Sequence, residues 1–492
     1  MIVFRIDLFR RWGEQLMEDQ APVFASCEEL LGGGGEEGWK ALESNSKDVA
    51  MSVKYFPPEK GGRSVATGKA VGVVDGSVEE VAAWAMDFCS NERMRIHKEF
   101  KKPARLELRE KSRVNENTAA TVKKFPFFLD NREFLFVQIW KSEEGHVSIA
   151  SESVDGEVDH GVKLKKTRGF SRAIWQIEDL PLRGGAKQCR ATFIQQLDAG
   201  GSIPTWVVVK KVPQQLSVVQ EAIDKFRQDE EVDAAEVGEL AKFIRERAQD
   251  EVYSEAENAL LERIRQKFEG SLKEGKCWKP PKSPDVFVNM EATFEEGGST
   301  AIVGRSVTIV DAVIEDCAAR EYVKMIREKM SAHCDFGGLE REVVKLNSHN
   351  DIYRVVHDLG VPGFAPREWL NRSVWKVVDE NTINVGYEDI EDGNFPIGAG
   401  KKYARASSIV FLKYERLPEV NDIPQTRVTY CIQVDLRGLI PMFIANSKII
   451  SQLELNDEGD IRQKLGDRRW SEKGNRQENQ GGGRGAGSFG AV

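Results

Sequence analysis

Two glycine-rich segments of the sequence could in principle bind phosphate groups. Residues 33–38 read GGGEEG, which formally fits the GxGxxG dinucleotide pattern. This segment follows a helical stretch and not a strand, and its two glutamates would lie where a pyrophosphate binds. Residues 398–403 read GAGKKY, but Lys402 stands where a phosphate loop requires a hydroxyl side chain. Both segments are therefore predicted to be loops.

The sequence lacks the usual signatures of hydrolytic or metal-dependent catalysis. It contains neither a GxSxG nucleophile elbow nor an HExxH zinc motif. The acidic pairs at 388–389 and 391–392 lie in turn-like sequence, where exposed carboxylates are the usual outcome. None of the six histidines is spaced from another as metal ligands are. The sequence predicts that the protein is not an enzyme and binds no metal or cofactor.

Length, composition and net charge limit which classes of protein remain possible. The chain has 492 residues, of which 40% are hydrophobic and 30% charged, so it can build packed cores and is not wholly disordered. At about 150 residues per domain, this length allows two to four domains. The net charge of −9 argues against electrostatic binding of nucleic acid.

Cysteine usage and hydropathy predict a soluble, cytoplasmic protein. The seven cysteines are scattered and form no CxxC pair, which indicates free thiols in a reducing compartment. Residues 1–12 carry charges within their apolar stretch and make a poor signal peptide. No window approaches the roughly 18 uncharged apolar residues of a membrane span.

The chain contains an internal repeat. Residues 190–211 align without a gap on residues 427–448, and Ile-Pro occurs at the same place in both. Upstream, residues 132–140 align on 367–375 in the same order and with nearly the same offset. The constant order and offset indicate two copies of one domain, each long enough to form its own core.

The same order of elements is predicted in each copy. An amphipathic helix comes first, and short strands and further helices follow it. Successive antiparallel strands come next, and a long helix that begins near Ile-Pro closes the copy. Within residues 427–434, alternate apolar side chains share one face, as in a half-buried antiparallel strand. The predicted fold class is α+β, with two helix-grip domains in which a curved antiparallel sheet wraps around a C-terminal helix.

Domain boundaries follow from the repeat and from composition. The first domain is predicted at 1–230 and the second at 254–468. Between them, residues 231–253 are rich in Glu and Ala with an apolar stripe, which predicts a helical acidic connector. Residues 469–492 form a glycine-rich tail that is predicted to be disordered.

Bulky and neutral polar side chains share the inner faces of the predicted sheets and closing helices. They form either a filled core or the lining of a cavity, and the sequence alone leaves both open. The candidate ligand-binding residues are Phe136, Gln138, Trp140, Phe193, Val208, Val212, Asn371, Ser373, Trp375, Tyr430, Ile432, Ala445 and Ile449.

Three sequence motifs in each copy resemble those of the START family, the lipid-transfer module of the helix-grip fold. Residues 366–369 (PREW) match its proline-arginine-acid-aromatic motif, which is degenerate in the first copy at 131–134. Residues 403–406 (YARA) match its tyrosine-x-arginine-alanine strand, and residues 426–446 match its last strand and closing helix. The resemblance covers roughly 30–230 and 255–465 of the chain.

This resemblance implies an apolar tunnel that holds one lipid-like molecule under the closing helix, with lid loops near 155–167 and 390–402. Arg132 and Arg367 are interpreted as structural ion-pair partners. Sterol-binding members carry a buried arginine–acid pair, but the arginine position holds Gln138 or Ser373 here. The charged pair is therefore expected to be absent from both copies, and a sterol is disfavoured.

The leading hypothesis is that one or both domains bind a lipid-like ligand without converting it. Transfer of the ligand is an extension of this hypothesis. The expected partners are a lipid of unknown class and a transiently contacted membrane, and no nucleic acid. One alternative is a scaffold or regulatory lipid sensor in which one domain is filled by its own side chains. A second alternative, a cyclase-like helix-grip enzyme, is less favoured because no acid–base pair is evident.

Overall fold

A computed structural model of the chain gives two compact units, Met1–Val232 and Asp233–Val492. The structure describes residues 16–32, 38–44, 46–56, 65–99, 105–108, 113–123, 130–159, 165–198, 200, 212–273, 289–294, 302–391 and 403–437. The predicted closing helix of the second copy, the 469–492 tail and most of the 390–402 loop lie outside these residues.

The first unit combines a large antiparallel sheet with short helices. The described helices are α1 (Ala21–Gly32), α2 (Val78–Met86), α3 (Asn91–Glu99) and α4 (Val218–Phe226). The strands are β1 (Lys40–Leu42), β2 (Val49–Phe56), β3 (Val65–Val74), β4 (Arg105–Leu108), β5 (Glu116–Lys123), β6 (Asn131–Glu143), β7 (His146–Ser153), β8 (Lys166–Arg168), β9 (Phe170–Arg183) and β10 (Ala186–Asp198). Their order is β1-β2-β3-β10-β9-β7-β6-β5-β4, with the short β8 pairing parallel to β6.

Helices cover both faces of this sheet. On one face, α1 buries Phe24 and Cys27 against the side chains of Ile139 and Ile174. On the other face, α2 and α4 pack against a cluster of buried hydrophobic side chains that includes Trp140. Helix α2 begins at a capping box, since the Glu80 N–H donates to Ser77 Oγ and the Ser77 N–H donates to the Glu80 carboxylate. The mixed α+β class predicted from the sequence is confirmed.

Glycines in β3 allow α4 and the turn before it to approach the sheet closely. A Cβ at Gly68 would lie 2.6 Å from Val212 Cγ1, and one at Gly72 would lie 2.8 Å from Ile223 Cδ1 and 3.1 Å from the Asp48 carbonyl oxygen. Because a backbone atom is among these neighbours, side-chain rotation alone cannot make room at Gly72.

The substitution Gly72→Ala should lower the free energy of unfolding of the first unit by about 1–2 kcal/mol, because it overpacks this contact. Hydrogen exchange of peptides from β3 and β10 measures the effect in the first unit, and exchange of peptides from the helix Asp229–Arg247 measures that of the control in the second. Gly238→Ala is the matched control, since no atom lies within 4 Å of its added Cβ. In a helix interior that change should stabilise by about 0.5–1 kcal/mol. Equal effects of the two substitutions would show that close packing at Gly72 is unimportant.

The second unit has helices α5 (Asp229–Arg247, which begins four residues before the boundary), α6 (Glu255–Lys273), α7 (Ile314–Tyr322) and α8 (Arg327–Asp335), and a 3₁₀ turn at Ala248–Asp250. Its strands are β11 (Asn289–Phe294), β12 (Ile302–Val310), β13 (Gly338–Lys345), β14 (Asn350–His357), β15 (Arg367–Asp379), β16 (Thr382–Asp389), β17 (Ala404–Arg405), β18 (Ser407–Val420) and β19 (Ile423–Asp435). Their order is β11-β12-β19-β18-β16-β15-β14-β13, and β17 pairs parallel to β15.

This second sheet repeats the strand order of the first, apart from one strand at the edge. Helix α6 covers its outer face with Leu260, Ile264 and Phe268. The inner face packs against α7 and against the apolar stripe of α5, where Ala241 and Ile244 are buried. The apolar stripe that the sequence places in the connector is therefore part of a core.

The last strand of the second unit behaves as its alternation predicts. In β19 the side chains of Val428, Tyr430 and Ile432 join the inner core, whereas Cys431 packs with the outer helix. The tight turn before β19 has positive φ at Asn421 and Asp422, as a two-residue hairpin turn requires. The equivalent turn between β9 and β10 uses Gly184 and Gly185.

The described cysteines are unbonded, and burial raises the pKa of Cys27, Cys189 and Cys431 to about 12. Among the described helices, none is both long and apolar enough to cross a bilayer.

Candidate functional site

A partly open cavity of about 240 Å³ lies in the second unit. Its walls are the inner face of the sheet from β13 to β19 and the helical segment from the end of α7 through α8. The lining side chains are Glu321, Lys324, Lys329, Ala332, His333, Phe336, Arg341, Tyr353, Val355, His357, Trp369, Asn371, Tyr387, Ser408, Val410, Tyr430 and Ile432. The lining is thus aromatic and aliphatic in part, but it also contains an unusual number of ionisable groups.

Strand alternation determines which side chains face this interior. In β15, Trp369, Asn371 and Ser373 share one face, and Val374 on the opposite face packs against α6. Asp351 on β14 lies opposite Ser373 in the strand register. The pairing therefore places a carboxylate and a hydroxyl side by side on the inward face.

Lys324, which follows α7, completes a buried ion pair with this carboxylate. Its ammonium lies 3.0 Å from Asp351 Oδ2 and 2.9 Å from Ser373 Oγ, and Ser373 Oγ also hydrogen-bonds Asp351. Both charged side chains are 3% exposed. Burial lowers the pKa of Lys324, while the Asp351 charge acts in the opposite direction. The ammonium also lies 4.1 Å from the ring centroid of Tyr322, which adds a cation–π contact.

A second buried lysine caps the end of α7. Lys329 Nζ donates to the backbone carbonyls of Arg320 and Glu321 at 2.8 Å and lies 3.3 Å from the Glu321 carboxylate. The Tyr387 hydroxyl donates to the same carboxylate at 3.0 Å. Burial, partly offset by Glu321, lowers the pKa of Lys329 to about 8.

The stability of the second unit should depend on the charge of Lys329. Its folded pKa of about 8 is below the ordinary 10.5, so between these values the unfolded chain binds a proton that the folded chain does not. The free energy of unfolding of the unmodified protein, minus that of Lys329→Gln, should therefore rise as the pH rises from about 8 to 10.5. The slope should be at most about 1.4 kcal/mol per pH unit. Urea unfolding of both proteins at pH 7.5 and pH 10 measures this. Lys345→Gln, at an exposed lysine of β13, should show no such trend, and a pH-independent difference for Lys329→Gln would contradict the assignment.

The structure brings some predicted residues of the second unit into the cavity. Asn371, Tyr430 and Ile432 line it. Ser373 is fully buried and contacts the ion pair behind the lining. Trp375 is also fully buried and packs edge-on against the rings of Phe243, Tyr322 and His349, in the filled part of the core. Ala445 and Ile449 lie outside the described residues.

In the first unit the predicted residues occupy the inner face of the sheet. Phe136 contacts the ring of Phe88 edge-on at 5.2 Å, and Phe193 packs on Trp175 at 4.7 Å. Trp140 and Val212 are buried in the hydrophobic cluster that also contains Trp175 and Phe193. Val208 lies outside the described residues.

Gln138 lies buried opposite Asn117 in the strand register. Asn117 Nδ2 donates to the Met86 carbonyl at 3.2 Å. Within the described part of the chain, the side-chain oxygens of both amides have no hydrogen-bond partner. This neutral pair takes the place in the register that Ser373 and Asp351 take in the second sheet.

Two expectations about charge need correction. The motif arginine Arg367 donates to the backbone carbonyls of Leu436 (2.8 Å) and Ala365 (2.5 Å), and its described contacts include no carboxylate. The neighbouring acid is the ion-pair partner instead, since Glu368 lies 2.7 Å from Arg354 Nε. In the first unit, the corresponding acid Glu133 likewise forms ion pairs, with Lys166 and Arg168 of β8.

The second expectation concerned the arginine–acid pair: Ser373 stands at the arginine position, but the second unit buries a different charged pair, Lys324 with Asp351. The cation comes from Lys324, at the end of a helix, and not from the strand position that holds Ser373. Sequence reasoning missed it because a lysine after a helix is normally exposed. The only available signal was its apolar neighbourhood, YVKMI. Within the described residues, no group of three or more His, Cys, Asp or Glu side chains is arranged to bind a metal ion.

Comparison with known proteins places a family match on the first unit. Residues 25–228 match the family model described as START domain. No curated protein matches the chain by sequence.

The chain is also similar to solved structures. Human STARD10 is 18% identical, over 50% of this chain and 89% of that one, with a TM-score of 0.32. Human StAR-related lipid transfer protein 5 is 19% identical, over 42% and 100%, with a TM-score of 0.32. The di-domain ARO/CYC BexL is 8% identical, over 80% and 95%, with a TM-score of 0.19.

Proposed function

We propose that the protein binds a lipid-like ligand, without converting it, in the interior of one or both units. The observation that carries this proposal is the START-domain match at residues 25–228. In the same stretch, the inner face of the sheet presents aromatic side chains and the neutral amide of Gln138 to the helices that cover it. Transfer of the ligand through transient membrane contact, in the cytoplasm, belongs to the same proposal.

The second unit is proposed to be a further START-like domain. Its strand order, its outer helix α6 and its inward tyrosines and tryptophans support this, together with the internal repeat. The proposed domains are 1–230 and 254–468, with 231–253 between them and a disordered tail at 469–492. The cavity gives this second domain a place for a ligand.

The physical basis of binding is burial of apolar ligand surface. Each Å² removed from water contributes about 25 cal/mol, and part of this gain offsets the freedom that the ligand loses on binding. The polar groups in the cavity are already paired with one another for the most part, which favours a role in orientation over one in proton transfer. A binding protein is therefore favoured over a cyclase-like enzyme.

Native mass spectrometry of the full chain after incubation with vesicles of mixed phospholipids, fatty acids and sterols tests the proposal. We expect one or two bound lipid molecules per chain, retained after removal of the vesicles. Lysozyme incubated in parallel controls for non-specific adducts. If the chain carries no lipid under these conditions, the proposal fails, and binding of protein partners by the lipid-free chain would favour the scaffold alternative.

A further inference from the structure

The cavity of the second unit has an unbalanced charge. Three cationic side chains line it, namely Lys324, Lys329 and Arg341. Asp351 neutralises Lys324, and Glu321 lies against Lys329. In the part of the chain that the structure describes, Arg341 has no carboxylate within ion-pair distance. Among the described residues, one positive charge of the cavity thus has no counter-charge.

Arg341 is held in place but incompletely hydrogen-bonded. It projects from β13, and its Nη1 donates to the Lys329 carbonyl at 3.2 Å. The guanidinium lies 5.2 Å from the ring centroid of Tyr353. Its Nε is buried and has no partner among the described residues. A buried donor of a charged group without an acceptor is costly, and an anionic oxygen would remove that cost.

Other groups near Arg341 do not supply the missing negative charge. His333 lines the same wall, and its Nε2 has no hydrogen-bond partner within the described part of the chain. Burial together with the Arg341 charge lowers its pKa. Burial keeps the pKa of Tyr353 above its ordinary value, so that phenol stays neutral. Neither side chain therefore supplies a negative charge beside Arg341.

Two aliphatic residues of the lining lie on strands far from Arg341. Arg341 lies on β13, at one edge of the sheet. Val410 on β18 and Ile432 on β19 line the cavity four and five strands away along the same path. Because neighbouring strands are about 4.8 Å apart, Arg341 and these aliphatic side chains reach the cavity from well-separated strands.

We propose that the second cavity binds an amphiphile with a single anionic headgroup, a carboxylate or a phosphate, which pairs with Arg341, and that the apolar chain extends toward Val410 and Ile432. This inference rests on the proposed lipid binding and adds the class of ligand. The terminal guanidinium N–H groups of Arg341 that do not donate to the Lys329 carbonyl would donate to the headgroup oxygens.

Matched ligands that differ only in charge test this inference. The full chain is titrated with oleic acid and with methyl oleate at pH 7, and bound ligand is counted by native mass spectrometry. We expect the acid to bind at least about 10-fold more tightly than the ester, because charge-assisted hydrogen bonds form only with the carboxylate. An oleoyl lysophosphatidic acid arm, compared with oleic acid, shows whether phosphate or carboxylate is preferred.

Variants of Arg341 then locate the effect. Arg341→Gln should reduce the preference for acid over ester to within about 2-fold, whereas Arg341→Lys should keep part of it. Arg245→Gln, at an exposed arginine of α5, is the control and should leave the preference unchanged.

Equal binding of acid and ester by the unmodified chain, or a preference that persists in Arg341→Gln, would overturn the inference while leaving lipid binding intact. Binding of none of these amphiphiles or of the vesicle lipids would instead overturn the proposed function, and this inference with it.

Discussion

Replacing Lys324 with Met should destabilise the second unit by about 3–5 kcal/mol, because it leaves the Asp351 carboxylate buried without its counter-charge. The two side chains are each 3% exposed and their charged atoms lie 3.0 Å apart, so water cannot substitute for the lost ammonium. Hydrogen exchange of peptides covering β14 to β16 measures the effect on this unit alone. Peptides from β9 and β10 in the first unit serve as the internal reference and should not change.

A double-mutant cycle separates the ion pair from the packing of the lysine stem. Lys324→Met and Asp351→Asn are measured singly and together. The double variant should be less destabilised than the sum of the single variants by about 0.5–3 kcal/mol, since neither charge is left alone. Strict additivity would show that the two charges do not stabilise each other.

The arrangement of elements could largely be predicted from the sequence, because it depends on patterns that are local or repeated. The alternation within residues 427–434 depends only on the two-residue period of a strand, and β19 buries the predicted face. Asn371, Tyr430 and Ile432 could be named as inward-facing for the same reason. The apolar stripe of residues 231–253 could also be predicted, from its 3.6-residue period. The sequence did not show that this stripe packs into the core of the second unit.

The charges of the cavity could not be predicted, because they depend on contacts between distant segments. Lys324 and Asp351 are 27 positions apart and meet only through the turn after α7 and the register of β14 on β15. Arg341 lies on an edge strand whose pattern of exposure is irregular. The prediction that Arg367 forms an ion pair failed for a related reason. Its partners are backbone carbonyls, and every residue has one, so the sequence does not reveal them.

Filling the second cavity should remove its ligand. Val410 lines the cavity from β18, so the indole of Val410→Trp would occupy space that the ligand's apolar chain needs. In native mass spectrometry after incubation with lipid vesicles, the number of ligands per chain should fall by one, and the affinity for oleic acid should fall at least about 10-fold. Val378→Trp is the matched control, because Val378 is 53% exposed on β15.

The stability of the same variant indicates whether the space is truly open. An indole that enters a cavity of about 240 Å³ gains apolar contacts, so Val410→Trp should change the free energy of unfolding by less than about 1 kcal/mol. In a filled core the same substitution would cost about 1–3 kcal/mol through overpacking. If Val410→Trp binds as much ligand as before but loses much stability, the ligand binds in the first unit alone. The second domain would then be filled by its own side chains, and the Lys324–Asp351 pair would have a structural role. Ligand loss without destabilisation would assign the binding to the cavity between β13 and β19.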